Sequence, residues 1–314
     1  MEDTGAMGED TGDVVILAGG TGGAKLARGM LDVVDPAHLA VIANTGDDIE
    51  IYGAHVSPDP DLITYWLADR IDDRGWGLAG DSFAAMEMLG ELGIEIWFNL
   101  GDRDLALCLE RRRLLEQGLG ATAAHARLTS ALGVGARVLP MSEQPVRTRI
   151  RSGGEWVGLQ EFMIRLRAST PIEDVEFAGA AEAAPSAAVI EAVSDARALI
   201  IGPSNPVISI GPILALPGMR EALSAAPAPV VAVSPIVGGE VLKGPTAAFL
   251  AWAGQRADAS GVLGYYDGLI DGLVSDETTV QIASLRCDTL MSSAEQRRAV
   301  AERALELSES LTAG

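Results

Sequence analysis

The apolar residues of this 314-residue chain fall in short runs, and each run stops at a turn of glycine and small polar residues. The first run is "DVVILA" (13–18), stopped by "GGTGG" (19–23). Ala27, Met30, Leu31 and Val34 then recur at helical spacing. "LAVIANTGDD" (39–48) repeats the apolar run and the polar turn. Five or six apolar residues without alternation suit a strand covered on both faces. Strand, glycine turn, helix and strand in that order open a doubly wound α/β sheet.

Later runs extend the pattern. "IEIWF" (94–98), "ARVLP" (136–140), "ALIIG" (198–202), "VVAVSP" (230–235) and "GLIDGLV" (268–274) read as strands. Helices are expected over 59–69, over 81–92 with Asp81 as N-cap, and through the stretch up to about 132. Further helices are expected near 185–193, 217–225 and 245–254, and over 294–311. "VRTRIRSGGEWVGLQEFM" (146–163) reads as a hairpin turning at Gly153–Gly154. The expected fold is α/β: a Rossmann-like, doubly wound, mostly parallel sheet. It forms a single domain over 13–314, with a helical and hairpin insertion at about 100–175. Residues 1–12 are acidic and glycine-rich and read as a disordered leader, unlike a signal peptide, which is basic and then apolar.

Composition narrows the function. Hydrophobic residues make up 48% and aromatics only 4%, so Ala, Leu, Val and Ile must fill the core. The net charge of −21 argues against nucleic acid or an anionic membrane as partner. It leaves room for a phosphorylated ligand, which a helix N-terminus and a divalent metal can hold within an acidic protein. No apolar run has the length of a membrane span. Cys108 and Cys287 read as ordinary thiols of a reducing cytoplasm.

In an open parallel sheet the loops that follow the strands share one edge, and ligands bind there. Gly19, Gly20, Thr21, Gly22 and Gly23 suit close approach to phosphate at a helix N-terminus; a tight strand-to-helix turn is the plainer reading. Asp47, Asp48, Asp59 and Asp61 can hold Mg²⁺ or cap helices, and two pairs beside a glycine turn favour metal for at least one pair. In "NLGDRDLA" (99–106), Arg103 suits a phosphate, while Asp102 and Asp104 suit a helix start. Pro203 and Pro206 stiffen "GPSNPVISIGPIL" (202–214), whose Ser204, Asn205 and Ser209 offer preorganised hydrogen bonds. "SPIVGGEVLKGP" (234–245) offers Ser234, Gly238, Gly239, Lys243 and Gly244. His38, His55 and His125 are scattered, with His55 alone near a candidate site, and read as surface or structural. No Ser-His-Asp order or nucleophile elbow is present.

"GGTGGAKL", "NTGDD", "SPDPD", "RGWG", "LGDRD", "LPMSEQPVRT", "GPSNPVISIGPILALPGMREAL", "SPIVGG" and "DTLMSS" occur in this order. Together they resemble the 2-phospho-L-lactate transferase family (CofD type) of coenzyme F-420 biosynthesis, over about 14–311. The resemblance implies transfer of a phospho-three-carbon acid from a guanosine-diphosphate-activated donor, of the lactyl-2-diphospho-5′-guanosine type or its enolpyruvyl or glyceryl counterpart. The acceptor is the ribityl hydroxyl of 7,8-didemethyl-8-hydroxy-5-deazariboflavin (Fo), GMP leaves, and Mg²⁺ assists. A cytoplasmic homodimer is implied. By the same resemblance Asp48 and Asp61 are the catalytic and metal-binding residues. Asp61, Asn99 and Trp76 face Fo, with a buried core Trp as the alternative for Trp76. Gly19–Gly23, Asn44, Ser204, Asn205 and Ser209 hold the nucleotide and its phosphates. Two rivals share the opening motif or the fold class: a nucleotide-sugar-binding regulator of the gluconeogenesis-factor family, and an NAD-dependent oxidoreductase. The "RGWG", "LGDRD" and "DTLMSS" segments disfavour the first. The missing dinucleotide fingerprint disfavours the second.

Overall fold

The first apolar run, β1 (Asp13–Ala18), lies at the middle of a seven-stranded, all-parallel sheet. The computed structural model describes residues 12–238, 240–241, 244–278 and 281–313. Residues 1–11 of the expected leader, together with Gly239 and Lys243, lie outside them. The other strands of this sheet are β2 (Leu39–Ala43), β5 (Arg137–Pro140), β9 (Ala196–Ile201), β10 (Val230–Val233), β13 (Gly272–Ser275) and β14 (Ala283–Arg286). Their order is β14-β13-β10-β9-β1-β2-β5. The winding reverses between β1 and β9, which makes that gap the topological switch point where such sheets hold ligands.

Both faces are covered, as the unalternating runs require. Val14, Ile16 and Ala18 point into a core shared with α1 (Gly20–Met30), α2 (Pro58–Leu67) and α12 (Ala294–Thr312). Val15 and Leu17 point the other way, towards α7 (Ala187–Ser194), α9 (Met219–Ala225) and α11 (Ala259–Tyr265). A capping box of Ser293 and Gln296 starts α12. No helix among the described residues is long and apolar enough to cross a membrane.

The remaining elements surround the edge where the parallel strands end. β3 (Ile49–Ile51) and β4 (Ala54–Val56) form a small hairpin, followed by α2, α3 (Ala84–Glu91), α4 (Asp102–Glu116) and α5 (Ala121–Ala131). β6 (Arg147–Ser152), β7 (Glu155–Gly158) and β8 (Asp174–Ala178) form an antiparallel sheet in the order β7-β6-β8, with α6 (Leu159–Ile164) beside it. A π-helical turn (Pro206–Ile210) leads into α8 (Gly211–Leu214). A second short pair, β11 (Ile236–Val237) and β12 (Glu240–Val241), precedes α10 (Thr246–Trp252).

Four sequence expectations need correction. "IEIWF" is no strand: Ile94–Phe98 is irregular, because β5 already pairs with β2 at that side of the sheet. β5 therefore belongs to the central sheet although it falls within 100–175, and the chain leaves the sheet in two excursions rather than one. The short strand β14, "ASLR", completes the opposite edge and carries no signal in the apolar pattern. Asp81 does not cap α3 but accepts from Arg103 N (2.9 Å) and Asp104 N (3.1 Å) at the start of α4. Asp102 in turn accepts from Ala84 N (3.1 Å) and Ala85 N (2.9 Å) at the start of α3, so each acid serves the other's helix.

Candidate active site

The loops after β1, β2 and β9 meet at the switch point through named bonds. Gly19 N donates to Ser204 Oγ at 3.2 Å, joining the glycine turn to the loop after β9. Gly20 N donates to Asp59 Oδ1 at 2.6 Å, and Asn44 Nδ2 donates to Asp59 Oδ2 at 2.9 Å. The Asn44 side-chain oxygen accepts from Gly46 N at 2.8 Å. The buried Asp59 carboxylate thus ties the loops after β1 and β2 to the start of α2. Gly19 is required by this closeness: a Cβ there would stand 2.5 Å from Asp59 Oδ2 and 2.7 Å from Ser209 Cβ. At Gly22 it would stand 2.0 Å from the Pro203 carbonyl oxygen. Gly20, Thr21 and Gly22 remain half-exposed at the mouth of the turn. Asn205 is half-buried; its oxygen accepts from Val207 N and Ile208 N, and its Nδ2 donates to Thr246 Oγ1 at 3.3 Å.

Asp59 and Asp61 both lie in the first turn of α2, yet they face opposite ways, because two helical residues are about 200° apart. Asp61 turns to α4, where Arg111 grips both of its oxygens, with Nη1 3.0 Å from Oδ2. Arg111 Nη1 also donates to His55 O at 3.1 Å. Both partners of this pair are buried. Neither acid caps α2 through its side chain, and Ser57 at the cap position donates to Asp48 Oδ1 instead, at 2.6 Å.

Asp48 lines two adjoining cavities of about 370 and 310 Å³, whose walls include the segments that follow β2 and β5. Its other oxygen lies 3.2 Å from His55 Nε2, and His55 Nδ1 pairs with Glu50. Burial disfavours the His55 imidazolium, but Asp48 and then Glu50 outweigh it and raise the pKa above its ordinary value. Neighbouring Asp47 is buried; its Oδ2 accepts from Gln160 at 3.1 Å, while Oδ1 has no hydrogen-bond partner among the described residues. Burial, and then the charges of Asp59 and Asp48, hold its carboxyl well above the usual range. Burial also pushes Asp59 up to about 6, against the bonds from Asn44 and Gly20 that pull it down.

The structure thus brings together Gly19, Gly20, Asn44, Ser204 and Ser209: Asp59 bonds Gly20 and Asn44, Ser204 bonds Gly19, and Ser209 packs against Gly19. It places Asp48 in the cavities and Asp61 under Arg111. Asn99 is exposed, and Trp76 is 62% exposed rather than a core residue; neither lines either cavity. Cys108 and Cys287 are both free thiols. Sequence reasoning missed Arg111 and the part played by His55. Arg111 meets Asp61 from a helix 50 residues further along the chain, and His55 sits on the β3–β4 hairpin, whose strands are too short to leave a periodic signal.

A divalent cation is best tested on the unpartnered oxygen. Asp47 and Asp48 form a crowded, buried acidic pair with one oxygen unsatisfied, which fits a cation that would relieve both. Asp61, Asp104 and Cys108 offer atoms within 4.8 Å of one another, but Arg111 holds Asp61, and Tyr65 donates to Asp104 at 2.7 Å.

Comparison with known proteins identifies the family. The family described as "2-phospho-L-lactate transferase CofD" matches residues 14–307. A phosphoenolpyruvate transferase of Kitasatospora aureofaciens is 40% identical, over 96% of this chain and 99% of its own length. A 2-phospho-L-lactate transferase of Methanosarcina mazei is 38% identical, over 92% and 98%. Among solved structures, a UPF0052-family protein from Bacillus halodurans shares the fold, with a TM-score of 0.62 at 17% identity, covering 94% of this chain and 99% of that one. The chain is a transferase and belongs to the 2-phospho-L-lactate transferase (CofD) family.

Proposed function

We propose that the chain transfers a phospho-three-carbon acid from a guanosine-diphosphate-activated donor to the ribityl hydroxyl of Fo, releasing GMP, in coenzyme F-420 biosynthesis. The observation that carries this reading is the convergence, in a member of this family, of the loops after β1, β2 and β9 on one edge beside the two cavities. The half-exposed backbone of Gly20, Thr21 and Gly22 faces the donor phosphates, with the helix dipole of α1 behind it. Ser204, Asn205 and Ser209 form the nucleotide side, held rigid by the π-helical turn. Asp48, with Asp47 beside it, would hold Mg²⁺, which when bound supplies neutralisation of the diphosphate charge.

Such a transfer is mainly a matter of positioning and electrostatics and needs no covalent nucleophile. The site is built that way: Asp59 fixes the glycine turn, and Ser57 and His55 fix Asp48. His55 lies between the carboxylates of Asp48 and Glu50, which orient its ring and favour its protonated form. Asp61 enters as the anchor of Arg111; the Fo contact implied for it requires that guanidinium to give way. The test is incubation with Fo, Mg²⁺ and lactyl, enolpyruvyl or glyceryl guanosine diphosphate in turn, with chromatography for GMP and phosphorylated Fo. GMP formation that depends on Fo is expected with at least one donor. No GMP with any of the three would refute the reading.

A further inference from the structure

Four arginines line the two cavities: Arg111 and Arg112 the first, Arg149 the second, and Arg147 both. Three are committed to acids. Arg111 holds Asp61, Arg112 holds Glu50 and Glu116 at 2.7 and 2.6 Å, and Arg149 reaches Glu176 at 3.4 Å. Arg147 forms no ion pair among the described residues, although its charge is felt by Asp47 across the cavity wall. Its one hydrogen bond there runs from Nη1 to the carbonyl of Val146, its own neighbour, at 2.9 Å. It is half-buried at the start of β6. The next residue, Thr148, donates its backbone N–H to Gly46 O at 2.6 Å, which fixes β6 beside the loop that carries Asp47 and Asp48.

Of the four arginines that line the cavities, Arg147 alone touches no carboxylate among the described residues, which leaves its guanidinium placed to take an anionic ligand. The cavity walls also carry Asp48, Glu50, Glu116 and Glu143, so an anion is admitted only beside a cation. Arg147 presents the planar guanidinium fork that matches a carboxylate with two parallel hydrogen bonds. The donor of the reaction proposed above has two anionic parts, the diphosphate and the carboxylate of the acid. The glycine turn lies outside both cavities and suits the diphosphate. We propose that Arg147 binds the carboxylate of the three-carbon acid and so selects an acid-bearing donor; this rests on the transferase reading.

The test compares two ligands on the full chain with Mg²⁺ by calorimetry. One is lactyl-2-diphospho-5′-guanosine. The other is the same diphosphate ester with an ethyl group in place of lactyl, which lacks the carboxylate alone. The wild type is expected to bind the lactyl ligand about 10- to 100-fold more tightly, the span of one charge-assisted bidentate contact. In Arg147→Gln the lactyl ligand loses that advantage and the ethyl ligand binds as before. Arg147→Lys, which keeps the charge without the fork, recovers part of the preference. An Arg147→Gln variant that weakens both ligands alike, or leaves the preference intact, overturns the assignment while the transferase reading stands. A wild type that binds neither ligand overturns both.

Discussion

Asp59 shows how much one side chain can decide. It is a buried carboxylate with no cation in contact among the described residues, and two N–H donors, from Gly20 and Asn44, satisfy it. Replacing it by asparagine keeps the shape but turns an NH₂ group towards a donor. A buried polar group left unpaired costs about 1–3 kcal/mol, so Asp59→Asn should lower the unfolding free energy by that amount. The double variant Asn44→Asp/Asp59→Asn restores both bonds of the side chain at position 59 and gives up only the long contact from Asn44 Nδ2 to Ile208 O, 3.5 Å. The carboxylate now at position 44 accepts from Gly46 N and from the amide now at position 59. The oxygen of that amide accepts from Gly20 N. Urea unfolding of the three proteins checks this: most of the loss should return in the double variant. Equal losses in the single and double variants would show that the carboxylate must stand at position 59 itself. The sequence marks Asp59 only as one of four acids near a glycine turn. Its partners are 39 and 15 residues away, so neither spacing nor composition could single it out.

At the scale of elements, the legible strands are those buried on both faces. β1, β2, β9 and β10 each hold at least four consecutive apolar residues, and the loops after them could be placed at one edge from the sequence. "IEIWF" has the same composition but no free strand to pair with, so Trp97 and Phe98 pack edge-to-face in a loop instead, 5.8 Å apart. The docking of α5 on α2 was equally hidden. It runs through His125 Nε2 and Thr64 Oγ1, 3.1 Å apart and both buried. Burial, aided by the Arg111 charge, lowers the His125 pKa to about 3. The unfolded chain takes up this proton near pH 6.5, whereas the folded chain refuses it until about 3, so the folded state loses ground as pH falls through that window. His125 should contribute a slope of up to about 1.4 kcal/mol per pH unit below 6.5. Urea titrations at pH 7, 6 and 5 should show His125→Asn losing less stability on acidification than the wild type. Parallel profiles would mean that His125 is protonated in the folded protein.

For the molecule as a whole the dominant quantity is the surplus of 44 acids over 23 bases. Two electrostatic effects oppose each other. Surface ion pairs such as Arg28–Asp32 and Arg298–Glu302 stabilise by about 0–1 kcal/mol each and weaken with salt. The unmatched negative charges repel one another, and that repulsion also weakens with salt. Range decides which effect governs. An ion pair acts over about 3 Å and survives moderate screening. The mutual repulsion acts across the whole surface, where the screening length shrinks from about 30 Å at 0.01 M salt to about 8 Å at 0.15 M. Salt should therefore remove more repulsion than attraction. Scanning calorimetry at pH 8 should show the unfolding midpoint rising by about 1–2 °C between 10 and 300 mM NaCl, equivalent to roughly 1 kcal/mol for a chain of this size. A falling midpoint would show that the ion pairs govern instead. MgCl₂ at matched ionic strength separates screening from binding: a further rise in midpoint is expected from the Asp47–Asp48 pair, and it should vanish in Asp48→Asn, whose midpoint should respond to the two salts alike.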